Sequence, residues 1–122
     1  MLRTALIVAL AALASPAFAA ANVSLGIDLT GDGQVQTVVY GCGEGTEPLT
    51  VKYINAAPNF LALLPIDGVD MVFVNVISGS GAKYVAGQYE WWNKGSDATL
   101  HDVTEGLDAA PVLTCSENVQ TP

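Results

Sequence analysis

From Val23 to Cys115 the chain is a succession of short apolar-alternating or β-branched runs, each stopped by glycine, proline, asparagine or aspartate. No segment past the first nineteen residues repeats its apolar side chains at helical spacing. A period of two sends successive side chains to opposite faces of a strand. Runs of that kind, evenly spaced with turn signals between them, predict an all-β domain. The candidate strands are 23–29, 34–42, 49–54, 60–64, 69–77, 82–86, 88–93, 98–103 and 111–115. Asp67-Gly68 between two of them is a hairpin signal, and Gly31-Asp32-Gly33 reads as a hairpin turn. Eight or nine antiparallel strands without helices imply a closed or nearly closed barrel, the arrangement that leaves the fewest exposed edges.

The start of the chain stands apart. Arg3 precedes an uncharged apolar run, Ala5–Ala14, and Ser15-Pro16-Ala17-Phe18-Ala19 ends in a small-x-small pattern. This reads as a secretory signal peptide over 1–19, leaving one domain over 20–122. The apolar run is shorter than the roughly 20 residues a spanning helix needs, so no membrane insertion of the mature chain is expected. No cysteine follows the run closely, so no lipid attachment is expected. The mature chain sets three lysines against twelve acids, a net −9. Such a charge repels nucleic acid and anionic membrane and steers basic proteins toward it. Cys42 and Cys115 are the only cysteines. In an exported chain they are expected to form one disulfide, closing a loop of about 74 residues worth roughly 4 kcal/mol of chain entropy.

Residues 77–95 carry the functional signal. Ser78-Gly79-Ser80-Gly81 is a loop between strands, followed by Lys83; Lys94 and Gly95 follow the only tryptophans, Trp91 and Trp92. Two of the three mature lysines thus sit at loop tips beside aromatics, which reads as a contact surface for an anionic partner. No base lies near either serine, the Gly-Lys-Ser/Thr ending of a phosphate loop is missing, and no strand-to-helix context makes a nucleophile elbow. Asp28–Gly33 matches half of a calcium loop, but Val39 stands where a bidentate glutamate is required. His101 has no evident metal or catalytic partners. No catalytic residue, metal or cofactor is therefore expected. Trp91 and Trp92 are adjacent in a strand, so one faces the core and the other the outside. An exposed tryptophan is common at interfaces.

These residues resemble the MliC/PliC family of c-type lysozyme inhibitors. The resemblance runs from about Val38 to Cys115. It rests on Val39-Tyr40-x-Cys42, Leu49-Thr50-Val51-x-Tyr53-Ile54-Asn55, Ser78-Gly79-Ser80-Gly81-Ala82-Lys83-Tyr84, Tyr89-Glu90-Trp91-Trp92-Asn93-Lys94-Gly95 and Ala98-Thr99-Leu100. It implies an eight-stranded antiparallel β-barrel with a Cys42–Cys115 disulfide, and a c-type lysozyme as partner. It also implies that Ser80 and Lys94 reach the two catalytic carboxylates of that enzyme. Ser78, Gly79, Gly81, Lys83, Tyr84, Trp92 and Gly95 complete the implied contact set. Lys83 departs from the family's frequent arginine and cannot offer a planar fork. With no lipid-bearing cysteine, the chain resembles the periplasmic branch. The alternative reading is an envelope module that binds peptidoglycan or other carbohydrate through the exposed tryptophan, without inhibiting anything. The sequence leaves oligomeric state undetermined.

Overall fold

The computed structural model describes residues 11–17 and 21–118. Most of the expected leader, its cleavage point after Ala19 and the end of the polar tail lie outside the described residues. Eight strands follow one another: β1 (Gln34–Gly41), β2 (Leu49–Ala56), β3 (Asn59–Ile66), β4 (Val69–Val76), β5 (Ala82–Ala86), β6 (Tyr89–Lys94), β7 (Asp97–Asp102) and β8 (Leu113–Glu117). Each pairs antiparallel with the next, and β8 returns to β1, closing the expected barrel in sequence order. The turn chemistry fits the hairpins. Asp67 and Gly68 both take positive φ (49° and 78°), as a two-residue turn matched to strand twist requires.

Closure is uneven. β1 and β2 share seven register pairs, whereas β1 and β8 share only two, Tyr40↔Glu117 and Gly41↔Ser116. The Asn118 amide adds a bond to the Val39 carbonyl at 2.8 Å. The expected Cys42–Cys115 disulfide spans this short seam, one residue beyond the last pair.

The expected strand over 23–29 does not form. Every strand of the barrel already has two neighbours, so this segment finds no edge to join. Gly31-Asp32-Gly33 is accordingly a bend leading into β1 and not a hairpin turn. The segment's alternation serves a different contact. Val23, Leu25, Ile27 and Leu29 line one groove with Ile54, Leu61, Leu63 and Val72 on the outside of β2–β4. That outer face is apolar because the register sets Val35, Ile54, Leu61, Val74 and Val85 side by side. The packing tightens along the arm, from Val23 at 90% exposed to Leu29 at 38%. Removing the arm, by starting the chain at Gly31, is expected to lower stability by on the order of 1 kcal/mol and to raise binding of an apolar dye. Unchanged dye fluorescence would mean that the arm does not shield this face.

The inward face of each strand fills the barrel. Tyr40, Val51, Phe73, Trp91 and Leu100 are at most 1% exposed. The Trp91 indole stands edge-on to Tyr40, 5.3 Å between centroids. Burying tyrosine and tryptophan requires partners for their polar atoms. The Trp91 indole N–H donates to the Tyr53 hydroxyl at 2.8 Å, and Tyr40 and Tyr53 share a hydrogen bond of 2.8 Å. The Asn93 amide donates to both hydroxyls, at 3.0 Å to Tyr40 and 2.6 Å to Tyr53. Burial, reinforced by the hydrogen bond and charge of Tyr53, pushes the Tyr40 hydroxyl far above its ordinary pKa. Burial does the same, less strongly, to Tyr84. These phenols stay neutral and can act as donors and acceptors at once.

Candidate functional site

Antiparallel pairing of β5 with β6 decides where the two sequence motifs meet. The loop 77–81 runs into the start of β5, and the Gly95-Ser96 turn leaves the end of β6. Ala82 pairs with Asn93, so Ser80 and Gly81 lie at the same end of the barrel as Lys94 and Gly95. The contact is tight. Gly81 has φ +63°, and a Cβ there would lie 2.0 Å from the Asn93 carbonyl oxygen and 3.1 Å from Lys94 Cγ. Only glycine lets the loop backbone approach β6 this closely. Gly79, by contrast, has no unusual φ, and a Cβ on it would meet nothing within 4 Å.

Trp92 joins the two motifs. Period-two alternation places Trp91 inside at 0% exposed and leaves Trp92 half-buried on the outside. The Trp92 indole N–H donates to the Ser80 carbonyl at 2.8 Å, across twelve residues of chain. The Lys83 and Lys94 ammonium groups lie 4.2 and 3.9 Å from the centre of its ring. An ammonium against an indole face is worth roughly 0.5–1 kcal/mol when exposed. The ring therefore fixes both cations and the loop. Lys83 also faces Glu90 Oε2 at 3.7 Å. Lys94 has no carboxylate within ion-pair distance among the described residues.

Within the loop, the Ser78 hydroxyl donates to the Gly81 carbonyl at 3.1 Å. Ser78 thus braces the loop from inside. Asn75 steadies the start of β5 through its amide, which donates to the Lys83 carbonyl at 3.1 Å. The Ser80 side chain is exposed, and its hydroxyl has no hydrogen-bond partner among the described residues. Tyr84 does not belong to the exposed set. β5 alternation turns it into the barrel at 6% exposed, where its ring lies 5.7 Å from Tyr53. It supports the site from beneath. Gly95 takes φ +62° in the two-residue turn and stays exposed.

The surroundings are bracing elements. The Glu117 amide donates to the Ser96 carbonyl at 2.8 Å, and the Ser116 hydroxyl to Asp97 at 2.7 Å, tying the Lys94 turn to β8. His101 is half-buried, in register with Glu90, and its Nε2 lies 3.1 Å from the Thr99 hydroxyl. Asp102 is held below the usual carboxylate range by the Thr104 hydroxyl, the Thr104 amide and the Gln88 side chain. It caps the short 3-10 turn Val103–Glu105. Among the described residues there is no group of three or more potential metal ligands. The geometry offers an edge at one end of the barrel that carries one unengaged hydroxyl and one ammonium without a carboxylate partner, both held to Trp92.

Sequence reasoning missed the bracing: Asn75, the Asn93–Tyr40–Tyr53 network under the turn, and the Trp92–Ser80 bond. The one available signal was two adjacent tryptophans in a strand, which forces one of them outside to find work there.

A family described as membrane-bound lysozyme-inhibitor of c-type lysozyme, MliC, matches residues 40–108. A Cupriavidus necator protein named membrane-bound lysozyme inhibitor of C-type lysozyme is 41% identical over 104 residues, 85% of this chain and 82% of that protein. The fold is similar to Pseudomonas aeruginosa MliC in its crystal structure with hen egg white lysozyme. The TM-score is 0.64 at 40% identity, over 81% of this chain and 98% of that one. It is also similar to PliC-St, the periplasmic lysozyme inhibitor of C-type lysozyme from Salmonella typhimurium. There the TM-score is 0.55 at 26% identity, over 69% of this chain and 98% of that one.

Proposed function

The chain belongs to the MliC family of c-type lysozyme inhibitors, and on that premise we propose that it inhibits a c-type lysozyme by inserting Ser80 and Lys94 into the active-site cleft. The observation that carries the reading is the Trp92 clamp, which holds the Ser80 loop and the Lys94 ammonium together at one end of the barrel. A glycosidase of this type needs one protonated and one ionised carboxyl. An ammonium between them favours the ionised form of both, which disarms the general acid. The Ser80 hydroxyl donates to a carboxylate or accepts from a protonated one. Both groups occupy space the sugar needs.

The energetics favour a pre-built edge. The loop is ordered by its own hydrogen bonds and by glycine packing, so little freedom is lost on binding. A net −9 over residues 20–122 steers the domain toward a basic enzyme. The reading includes export: residues 1–19 act as a cleaved leader, and the domain works in the periplasm, beside the peptidoglycan it protects. It acts as an inhibitor and performs no catalysis of its own.

Lysis of a peptidoglycan suspension by hen egg white lysozyme, titrated with residues 20–122, tests this. Stoichiometric loss of lysis is expected, weakening as salt rises. Lys94→Ala should raise the inhibition constant roughly thirtyfold, since one partner of a desolvated charge contact is worth about 2 kcal/mol or more. Ser80→Ala should cost about 1 kcal/mol. Ser80→Ala should leave the melting temperature unchanged, and Lys94→Ala should lower it by no more than a few degrees, the loss of its contact with the Trp92 ring. Full lysis at large excess of the wild-type domain would refute the proposal and direct attention to bare peptidoglycan as the ligand.

A further inference from the structure

We propose that the contact edge has a second, apolar half: Ile77 and the groove beside it receive the apolar wall next to the general acid of the target cleft. The inference rests on the inhibitor reading above and extends it to the opposite flank of the loop.

β4 alternates Phe73 and Asn75 inward with Val72 and Val74 outward, and it ends at Val76. Continued alternation would return Ile77 to the inside. Instead the chain leaves the strand there, and Ile77 is fully exposed at 101%. Immediately behind it the barrel mouth opens into a groove lined mostly by apolar side chains, Phe60, Val76, Ile77, Ala82 and Tyr84, with Asn75 among them and Ser78 and Gly81 forming its loop side. Phe60 and Val76 are themselves 37% and 36% exposed. No charged side chain lines this groove. A β-branched side chain held wholly in water beside an open apolar groove gains most when a partner covers both.

The loop 77–81 therefore has two unlike flanks. On one lie Asn93 and Lys94, on the other lies the uncharged groove, and Gly81 stands between them. A c-type lysozyme cleft should present the same pair of surfaces. In a lysozyme the general acid is kept protonated near neutral pH mainly by apolar neighbours, with the second carboxylate a minor contribution. The surface beside the general acid is then apolar. A loop that delivers Ser80 and Lys94 to the carboxylates brings Ile77 to within a few residues of that wall. Continuity with the Ser80 loop selects this occupant over a second copy or a lipid.

Three variants test the idea against hen egg white lysozyme: Ile77→Ser, Ile77→Leu and Lys94→Ala. Ile77→Ser is expected to weaken inhibition at least about tenfold, or about 1.4 kcal/mol. Its melting temperature should match the wild type, because the side chain is fully exposed. Its salt dependence should be unchanged, because no charge is altered, whereas Lys94→Ala, which takes residues 20–122 from −9 to −10, should change that dependence. Ile77→Leu should restore most of the affinity. If the wild type inhibits and Ile77→Ser stays within twofold of it, the apolar half is refuted while the inhibitor reading stands. If the wild type does not inhibit, both fall together.

Discussion

Gly81→Ala is expected to lower the stability of the domain by about 3 kcal/mol and to weaken lysozyme inhibition more than tenfold. Two costs add. A left-handed backbone costs an L-residue roughly 1–2 kcal/mol, and Gly81 sits at φ +63°. The new methyl would also lie 2.0 Å from the Asn93 carbonyl oxygen, which is backbone and cannot swing aside. Overpacking of that kind typically costs about 1–3 kcal/mol. The barrel resists relief of the clash, since Asn93 is held on its inward side by Tyr40 and Tyr53 and in the sheet by Ala82. The loop must therefore shift, which pulls the Ser80 carbonyl off the Trp92 indole and frees the Lys94 side chain. Gly79→Ala is the matched control. It has room for its methyl and should leave the melting temperature unchanged. For a domain of this size 3 kcal/mol corresponds to a fall on the order of 15 °C. Thermal unfolding of both variants with the lysis assay decides the matter. A Gly81→Ala protein that melts and inhibits like Gly79→Ala would show that the loop does not depend on its packing against β6.

The contrast between these two glycines marks where the sequence stops being readable. Both stand in one Ser-Gly-Ser-Gly stretch and look alike as sequence, yet only Gly81 meets β6. The difference is tertiary, arising because β5 pairs with β6 at Ala82↔Asn93. The strands themselves were legible, because a half-buried strand must alternate, and Trp91 inside with Trp92 outside follows from the same rule. The arm 23–29 misled for a related reason. Alternation reports one apolar face, and that face is needed equally by a hydrogen-bonded strand and by an arm laid across the outside of a finished barrel. The exposure of Ile77 was also hidden, since a β-branched residue at the end of an apolar run reads as core. The pairing of Ser80 with Lys94 came from family resemblance. Spacing of fourteen residues says nothing about proximity until the hairpin is known. Tyr84 came with the same resemblance, and strand parity alone would have assigned it to the interior.

Removal of the disulfide should loosen the site as well as the fold. The double variant Cys42→Ala, Cys115→Ala loses a cross-link over 73 residues of sequence separation, worth roughly 4 kcal/mol in chain entropy. A domain of about one hundred residues has only about 5–15 kcal/mol in total. The loss falls at the weakest junction, where β1 and β8 share two register pairs. From there it passes to the contact edge through β8. The Glu117 amide and the Ser116 hydroxyl hold Ser96 and Asp97, the far side of the turn that carries Lys94. Once β8 is no longer pinned to the end of β1, the Lys94 turn loses its brace, while the Ser80 loop keeps its bond to Trp92. Urea unfolding should show the midpoint falling by the equivalent of about 4 kcal/mol. Hydrogen exchange in the absence of denaturant should quicken first at Asn118, Glu117 and Ser116. Inhibition should weaken by more than the unfolded fraction explains, because the turn is loosened in molecules that remain folded. If exchange at Glu117 and inhibition per folded molecule are both unchanged, β8 does not carry the closure of the barrel to the site, and the disulfide acts on global stability alone.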